Sequence, residues 1–202
     1  MAAKAGRPKK NIRNTDAKKR LTDAAVAIIK RDGAGCVTVR NVTEEAGLST
    51  GTFYHHFKNK DDLMVYFVKT SACHDCDLHE SLTNISARIT ELYLHLTDRY
   101  KELGRDFMKC FYTTDNKALS AYMSESNGGF LPDTVMFRCE QELEAAKKNG
   151  VLRSDADTHL MSMDICTIVK GCVFEWCLSD GNMELEDSLG RIMDNYFLVY
   201  MK

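Results

Sequence analysis

The chain has 202 residues, of which 44% are apolar and 28% are charged, with 12 glycines and only two prolines. This composition is sufficient for a buried core and excludes a disordered or collagen-like chain. No apolar run approaches the roughly 18 residues of a membrane span, and the charged start has no apolar stretch after it, so we expect a soluble cytoplasmic protein without membrane contacts. Eight cysteines in a chain of this length favour reduced thiols over a secreted disulfide scaffold.

Charge is distributed unevenly along the chain. Residues 1–60 contain 13 Lys and Arg against 5 Asp and Glu, whereas the remaining residues contain 14 against 24. A basic segment joined to an acidic body is typical of a nucleic-acid-binding protein with a separate second function. A solvated basic tail on an ordinary helical protein is the alternative.

The spacing of apolar residues predicts an all-α fold, because no series of short alternating runs is present. The predicted helices of the first part are one near 16–31, one capped by Thr38 and ended by Gly47, one starting at Ser49 or Thr50, and a longer one opened by Lys60. Beyond residue 80 the helices lengthen and form a helical bundle, and residues 160–200 form a hairpin with two apolar faces. We therefore expect a flexible basic arm over 1–14, a three-helix domain over 15–60 and a second domain over 61–202.

Residues 38–57 have the pattern of a helix-turn-helix. Gly47 allows the positive φ that the turn needs, and Leu48, Phe53 and Phe57 are spaced to bury the second helix against the first. The side chains left for solvent or for a DNA major groove are Thr50, Gly51, Thr52, Tyr54 and His55. A helical corner of a bundle is the alternative reading of the same pattern.

The stretch TVRNVTEEAGLSTGTFYHHFKNKDDL resembles the TetR-type transcriptional regulators. The matching positions are Gly47, Thr52, Tyr54, Phe57, Lys58, Lys60 and Leu63. The resemblance implies a three-helix helix-turn-helix domain that binds DNA, followed by a six-helix domain for ligand binding and dimerisation. Such proteins act most often as repressors released by a small molecule.

The resemblance also assigns roles to individual positions. Positions that read bases or lie at the groove edge correspond to Arg40, Thr50, Gly51 and Thr52. Positions that face phosphate correspond to Thr38, Tyr54, His56 and Lys60. His55 replaces a residue that is commonly aromatic, which leaves its role open. Lys60 has a further argument, because a cation at a helix start opposes the helix dipole unless an anion is near, although a solvated lysine is the alternative.

Large flexible side chains in the second domain predict an apolar effector pocket, although each of them also suits a plain core. The predicted lining residues are Phe67, Tyr93, Phe107, Phe111, Met136, Phe137 and Met163. The terminal hairpin predicts a homodimer through a four-helix interface. Its predicted contact residues are Val173, Trp176, Ile192 and Phe197.

Cys73, Cys76 and His79 form one short cluster of metal-binding residue types. No second Cys and His pair at a set spacing accompanies them, so we expect no metal, and a metal or thiol sensor remains an alternative. The sequence contains no phosphate loop, nucleophile elbow or zinc-protease motif, so we expect neither catalysis nor a cofactor.

The sequence therefore predicts a homodimeric regulator of a pseudo-palindromic DNA operator, released by a small and largely apolar ligand. We expect the helix opened by Lys60 to join the ligand site to the DNA-binding domain. A DNA-architectural protein without a ligand is the third reading, and repression is not distinguished from activation.

Overall fold

The computed structural model describes residues 10–71, 76–113, 115–123, 125, 128–179 and 182–202. These residues form ten α-helices and no named strand, which confirms the predicted all-α class. None of the described helices combines the length and apolar composition that crossing a membrane requires. The chain divides into two compact units, one ending at Met64 and the other beginning at Val65.

The first unit is built from short helices around α1. Its elements are α1 (Lys10–Asp32), a 3-10 turn (Ala34–Cys36), α2 (Val39–Ala46), α3 (Thr50–His56) and the start of α4 (Lys60–Ser71). Both α2 and α3 pack on α1. The apolar side chains that close this core are fully or almost fully buried, among them Leu21, Ile28, Val42, Phe53 and Leu63.

Helix α1 begins earlier than the sequence predicts. The expected start near residue 16 and the expected arm over 1–14 differ from the structure, in which the helix already includes residues 10–14. The difference arises because residues 10–14 have no apolar face to signal a helix, whereas a helix once nucleated extends into adjacent residues that tolerate it. Residues 1–9 of the expected arm lie outside the described residues.

The second unit is a helical bundle. Its helices are α5 (Ile85–Leu103), α6 (Arg105–Phe111), α7 (Lys117–Tyr122), α8 (Val135–Lys148), α9 (Thr158–Leu178) and α10 (Leu185–Phe197). Helices α5 and α9 each pack on α6, α8 and α10. Ile89, Leu143, Ile165 and Leu189 are each completely buried where these helices meet.

An ionic cluster ties α5 to α8 in this bundle. Glu142 accepts hydrogen bonds from Arg88 at 2.7 Å and from Arg138 at 2.8 Å. Burial by itself would raise the pKa of Glu142, but the two arginines lower it below its usual value. Nearby, the backbone N–H groups of His79 and Glu80 donate to the Glu91 carboxylate, so the segment before α5 is held against that helix.

A histidine connects the first turn of α9 to α8 and to the segment before α8. The ring nitrogens of His159 lie 2.9 Å from Glu140 Oε1 and 3.0 Å from Glu125 Oε1. Its ring also stacks on Phe130, with centroids 4.6 Å apart. A carboxylate only accepts, so both nitrogens donate when the ring is an imidazolium, and the bonds to Glu125 and Glu140 raise the pKa of His159.

This arrangement predicts a pH-dependent contribution to stability. Because the folded-state pKa lies above the unfolded value of about 6.5, the contribution of His159 is complete below that pH and is lost as pH rises through the folded pKa. We expect the difference in Tm between the wild-type protein and His159→Gln to be largest at pH 6 and to shrink toward pH 9. A difference that stays constant over this range would contradict the assignment.

Candidate DNA-binding site

Local hydrogen bonds fix the α2–turn–α3 unit. Thr38 caps α2 by accepting from the backbone N–H of Asn41 at 3.1 Å, and Ser49 caps α3 by accepting from Thr52 at 3.0 Å. Gly47 adopts the left-handed conformation at φ 60° and ψ 39°, which the turn requires and which side chains with a Cβ disfavour. Arg20 of α1 donates to the carbonyl of Ala46 at 2.6 Å and so holds the end of α2. The cap at Thr38 and the turn at Gly47 are confirmed.

Helix α3 has one buried face and one exposed face. Phe53 and Phe57 are buried, with ring centroids 5.7 Å apart. Tyr54 is 61% exposed, which is unusual for a tyrosine in a folded domain. The other exposed residues of this helix are Thr50, Gly51 and His55, and Thr52 and His56 are half-buried. The exposed face therefore presents small and polar groups beside one aromatic ring.

Several predicted DNA contacts already have partners within the chain. Arg40 is exposed and forms an ion pair with Glu44 at 2.8 Å, and the hydroxyls of Thr52 and Ser49 lie 2.9 Å apart. The Arg40–Glu44 pair was missed, although the spacing of four residues in a helix was visible in the sequence. Any phosphate or base contact by Arg40 has to compete with the Glu44 carboxylate.

His56 and Lys60 differ in the charge that they offer. Burial lowers the pKa of His56, and the charges of His55 and Lys18 lower it further, so the imidazole is neutral at pH 7. Lys60 is exposed at the first position of α4. Of the predicted phosphate-facing residues, His56 therefore supplies a hydrogen bond without charge, whereas Lys60 supplies a full positive charge.

The predicted effector residues are not all in the interior. Tyr93, Phe107, Phe111 and Met136 are buried, and the rings of Phe107 and Phe111 stack at 5.3 Å. Phe67 and Phe137 are half-buried. Met163 is 40% exposed, so its placement in an interior pocket is wrong. The reason is its position on α9 three residues after the exposed Leu160, on the side opposite to the buried Ile165.

The predicted dimer residues also separate into two groups. Val173 and Phe197 are 0% and 1% exposed within the single chain, so they belong to its core and the prediction that they face a partner is wrong. Trp176 and Ile192 are half-buried. Ile192 also lines a groove of about 430 Å³ between α9 and α10.

The cysteine and histidine cluster is only partly described. Cys73 lies outside the described residues, Cys76 is half-buried, and His79 Nδ1 lies 2.9 Å from Glu91 Oε1. Within the ranges that the structure describes, no group of three or more His, Cys, Asp or Glu side chains is arranged to hold a metal ion.

Comparisons with known proteins find one family model that matches the first part of the chain and relatives that align with a larger share of it. Residues 21–66 match the family model of the bacterial regulatory proteins of the tetR family. The fatty acid metabolism regulator protein of Bacillus subtilis is 22% identical over 171 residues, which cover 82% of this chain and 86% of that protein. An HTH-type transcriptional regulator of Staphylococcus aureus is 26% identical over 110 residues, covering 54% of this chain and about half of that protein (55%).

Solved structures share the fold over most of the chain. Thermus thermophilus FadR in complex with lauroyl-CoA superposes with a TM-score of 0.62 at 16% identity, covering 90% of this chain and 93% of that one. SmeT, the repressor of a Stenotrophomonas maltophilia multidrug efflux pump, gives a TM-score of 0.60 at 20% identity and covers 93% of each chain. A SmeT complex with triclosan gives 0.59 at 20% identity, covering 92% of each chain.

From the exposed face of α3 we expect two kinds of substitution to change the affinity for a DNA duplex in opposite directions. Substitutions that remove a contact should weaken binding, and removal of a negative charge should strengthen it. Thr52→Ala and Tyr54→Ala should weaken binding to a preferred sequence by about five- to a hundredfold, because each removes a groove or backbone contact. Lys60→Ala should weaken binding to all sequences similarly and flatten the dependence of log Kd on log salt by about one. Glu44→Gln should strengthen binding, because it releases Arg40 and removes a negative charge.

Fluorescence anisotropy with labelled duplexes at several salt concentrations measures all four variants. Asp23→Asn is the matched control for Glu44→Gln, because Asp23 is an exposed carboxylate on α1 that pairs with Lys19. Equal gains in affinity for Glu44→Gln and Asp23→Asn would show that only net charge matters. Unchanged binding in the three alanine variants would contradict the assignment of the exposed α3 face to DNA binding.

Proposed function

We propose that this chain, whose residues 21–66 match the family model of the tetR regulators, is a TetR-type transcriptional regulator, a homodimeric repressor released from its operator by a small, largely apolar ligand. One observation carries this proposal. Within the segment that matches the family model, two phenylalanines bury one face of α3 and leave its other face exposed. Two copies of α3 would bind a pseudo-palindromic duplex in major grooves about 34 Å apart or more. We place this action in the cytoplasm, where the DNA of a bacterium is accessible.

The interior of the second unit supports an apolar effector. Its buried aromatic and methionine side chains, including Phe107, Phe111 and Met136, offer an adaptable apolar lining. The ligands in the similar FadR and SmeT structures, lauroyl-CoA and triclosan, both carry a large apolar part. We therefore propose that the effector of this chain also has a large apolar part.

Helix α4 is the element proposed to carry the signal. It starts at Lys60 and continues to Ser71, so the boundary between the two units falls within one helix. Near its end, Lys69 Nζ lies 2.7 Å from Asp133 Oδ2 and 5.0 Å from the centroid of the Tyr122 ring. Asp133 directly precedes Thr134, which caps α8. A ligand that moves α7 or the start of α8 would therefore move the end of α4.

The ligand must favour one arrangement of the DNA-binding domains over another. A ligand that binds two conformational states with equal affinity does not change their populations. Reversing the populations from 99:1 to 1:99 requires the ligand to bind one state about 10⁴-fold more tightly than the other. We propose that Lys69 conveys part of this preference, because its two contacts depend on the positions of Tyr122 and Asp133.

Lys69→Met tests this coupling and the proposed function together. The variant keeps an apolar stem but removes the ammonium group, so operator affinity and ligand affinity should each change less than about threefold. The ligand concentration that releases half of the operator should rise by about five- to a hundredfold, which corresponds to the usual range of coupling free energies. Anisotropy of a selected operator, titrated with alkyl carboxylates and chlorinated phenols, measures release.

Lys117→Met is the control, because Lys117 is an exposed lysine at the start of α7. Release of the wild-type protein by none of these compounds would contradict the proposed class of effector. Normal release of Lys69→Met would contradict the role of Lys69 alone.

We propose that the dimer forms through an exposed stripe of α9. The apolar residues Leu160, Met163, Phe174 and Leu178 are each between 40% and 59% exposed. With Thr167 and Gly171 they repeat at steps of three or four residues, which places them along one side of the helix. Exposed apolar rows of this kind pack against a matching row of a second helix.

Phe174→Glu should convert the dimer into a folded monomer. Phe174 is 56% exposed in the single chain, so a charge there costs little within the protomer but would be buried in the interface. Val173→Glu, at a position with 0% exposure, should instead unfold the protein. Light scattering and circular dichroism distinguish the outcomes, and Ser154→Glu in an exposed loop is the control. A Phe174→Glu protein that stays dimeric would contradict this interface.

A further inference from the structure

His159, on the first turn of α9, connects three parts of the second unit through one ring. Its Nδ1 lies 2.9 Å from Glu140 Oε1 on α8, and its Nε2 lies 3.0 Å from Glu125 Oε1 before α8. The ring also stacks on Phe130, with an angle of 24° between the ring planes. The side chain is 31% exposed, so it exchanges protons with solvent without any opening of the core. The gain or loss of one proton therefore acts on three contacts at once.

Only the protonated ring satisfies both carboxylates. An imidazolium donates from both nitrogens, whereas a neutral imidazole has one N–H and one lone pair, and a lone pair repels a carboxylate oxygen. One of the two hydrogen bonds must therefore open when His159 loses its proton. Bonds at both nitrogens fix the orientation of the ring against Phe130, and the positive charge strengthens the contact between the two rings. Loss of the proton weakens this contact as well.

The charged groups that act on His159 from the described residues are carboxylates. Glu140 on α8 and Glu125 before α8 form hydrogen bonds with the ring and raise its pKa. On α9 itself the neighbouring acid is Asp157, which caps the helix. Glu144, the next acid of α8 on that side, is hydrogen-bonded to the start of α9. Opposite charges on two elements therefore stabilise the protonated form.

A short turn joins Phe130 to the start of α8. The backbone N–H and the hydroxyl of Thr134 both donate to the Leu131 carbonyl, at 3.0 and 2.7 Å. Pro132, whose ring fixes φ, lies between these two residues. Thr134 is completely buried and also caps α8. A displacement of Phe130 is therefore passed to Asp133, because the residues between them have little freedom to absorb it.

The other end of this turn contacts α4. Asp133 Oδ2 lies 2.7 Å from Lys69 Nζ, and the Tyr122 hydroxyl lies 3.5 Å from the Asp133 carbonyl oxygen. The Lys69 ammonium group also lies 5.0 Å from the centroid of the Tyr122 ring. Contacts between described residues thus connect His159 to α4, the helix that begins in the first unit.

We propose that His159 is a proton sensor that opposes release of the operator. The protonated ring holds Phe130 and, through the turn, the contact between Asp133 and Lys69. The proposed effector displaces the start of α8 and must work against this arrangement, so the proton and the effector each reduce the affinity of the protein for the other. The last step rests on the proposed function, whereas the coupling of His159 to α4 does not require an effector.

Nuclear magnetic resonance of the full-length protein tests the coupling without any ligand. In the wild-type protein, the backbone amides of Asp133 and Lys69 should shift with pH at the same midpoint as the His159 ring, above pH 6.5. In Glu125→Gln this shared midpoint should move to lower pH, because one of the two carboxylates is replaced by a neutral amide. In His159→Gln the shared titration should be absent. Amides of Asp133 and Lys69 that do not follow the titration of His159 would overturn the coupling.

Release of the operator by decanoate tests the last step. Decanoate is ionised throughout pH 6.0 to 8.5, so its own charge stays constant. For the wild-type protein, the concentration that releases half of the operator should be about five- to tenfold higher at pH 6.0 than at pH 8.5. In His159→Gln this ratio should fall below about twofold. His79→Gln is the matched control and should keep the full ratio, because His79 is an exposed histidine of the second unit that also lies 2.9 Å from a glutamate.

The outcomes separate the inference from the proposed function. A ratio that is equal in the wild-type protein and His159→Gln would overturn the sensor, and so would release at lower decanoate concentration at pH 6.0 than at pH 8.5. Release by decanoate at no pH would contradict the proposed class of effector. In that case the amide titration of Asp133 and Lys69 still decides whether a proton at His159 acts on α4.

Discussion

The burial of Phe53 and Phe57 is the interaction on which the DNA-binding face depends. Helix α3 has only seven residues, and a helix of that length is not stable alone in water. It forms because one face packs on α1 and α2, where Leu21 and Val42 are completely buried. The same packing leaves Tyr54 exposed. Recognition of DNA and stability of the first unit are therefore two consequences of one apolar contact.

The second unit combines a stable bundle with an interior that is more polar than stability requires. Its helices bury a continuous apolar core, and the Arg88–Glu142 contact ties α5 to α8. Tyr93 departs from this pattern, because a phenylalanine would fill the same space without an unpaired donor. Natural proteins accept such local costs where they bind ligands, since a polar group that waits for its partner provides specificity. The position of Tyr93 in the middle of α5 fits that interpretation.

Sequence reasoning succeeded where the structure is determined by neighbours in the chain. The caps of α2 and α3 and the turn at Gly47 follow from residues within four positions of each other, so their pattern can be read directly. It failed where two faces of one helix are both apolar. Val173 and Phe174 are adjacent apolar residues, and only the packing of α9 on α8 and α10 shows that the first is buried and the second exposed.

Contacts between distant residues were also beyond the sequence. His159 and Glu125 are separated by 34 positions, and no spacing rule relates them. The hydrogen bond between the hydroxyls of Tyr112 and Tyr100 likewise forms only because the fold brings the residue after α6 against α5. The character of each residue was visible in the sequence, whereas its hydrogen-bond partners depend on the fold.

The central claim is that the α3 face reads a specific DNA sequence, and selection of binding sites from a random duplex library tests it most directly. The account predicts enrichment of one pseudo-palindromic sequence whose two halves are separated to suit two copies of α3, bound at least about 10³-fold more tightly than random duplex at physiological salt. Recovery of no common sequence, with equal and salt-sensitive binding to all duplexes, would contradict it and would identify a protein that organises DNA without reading it.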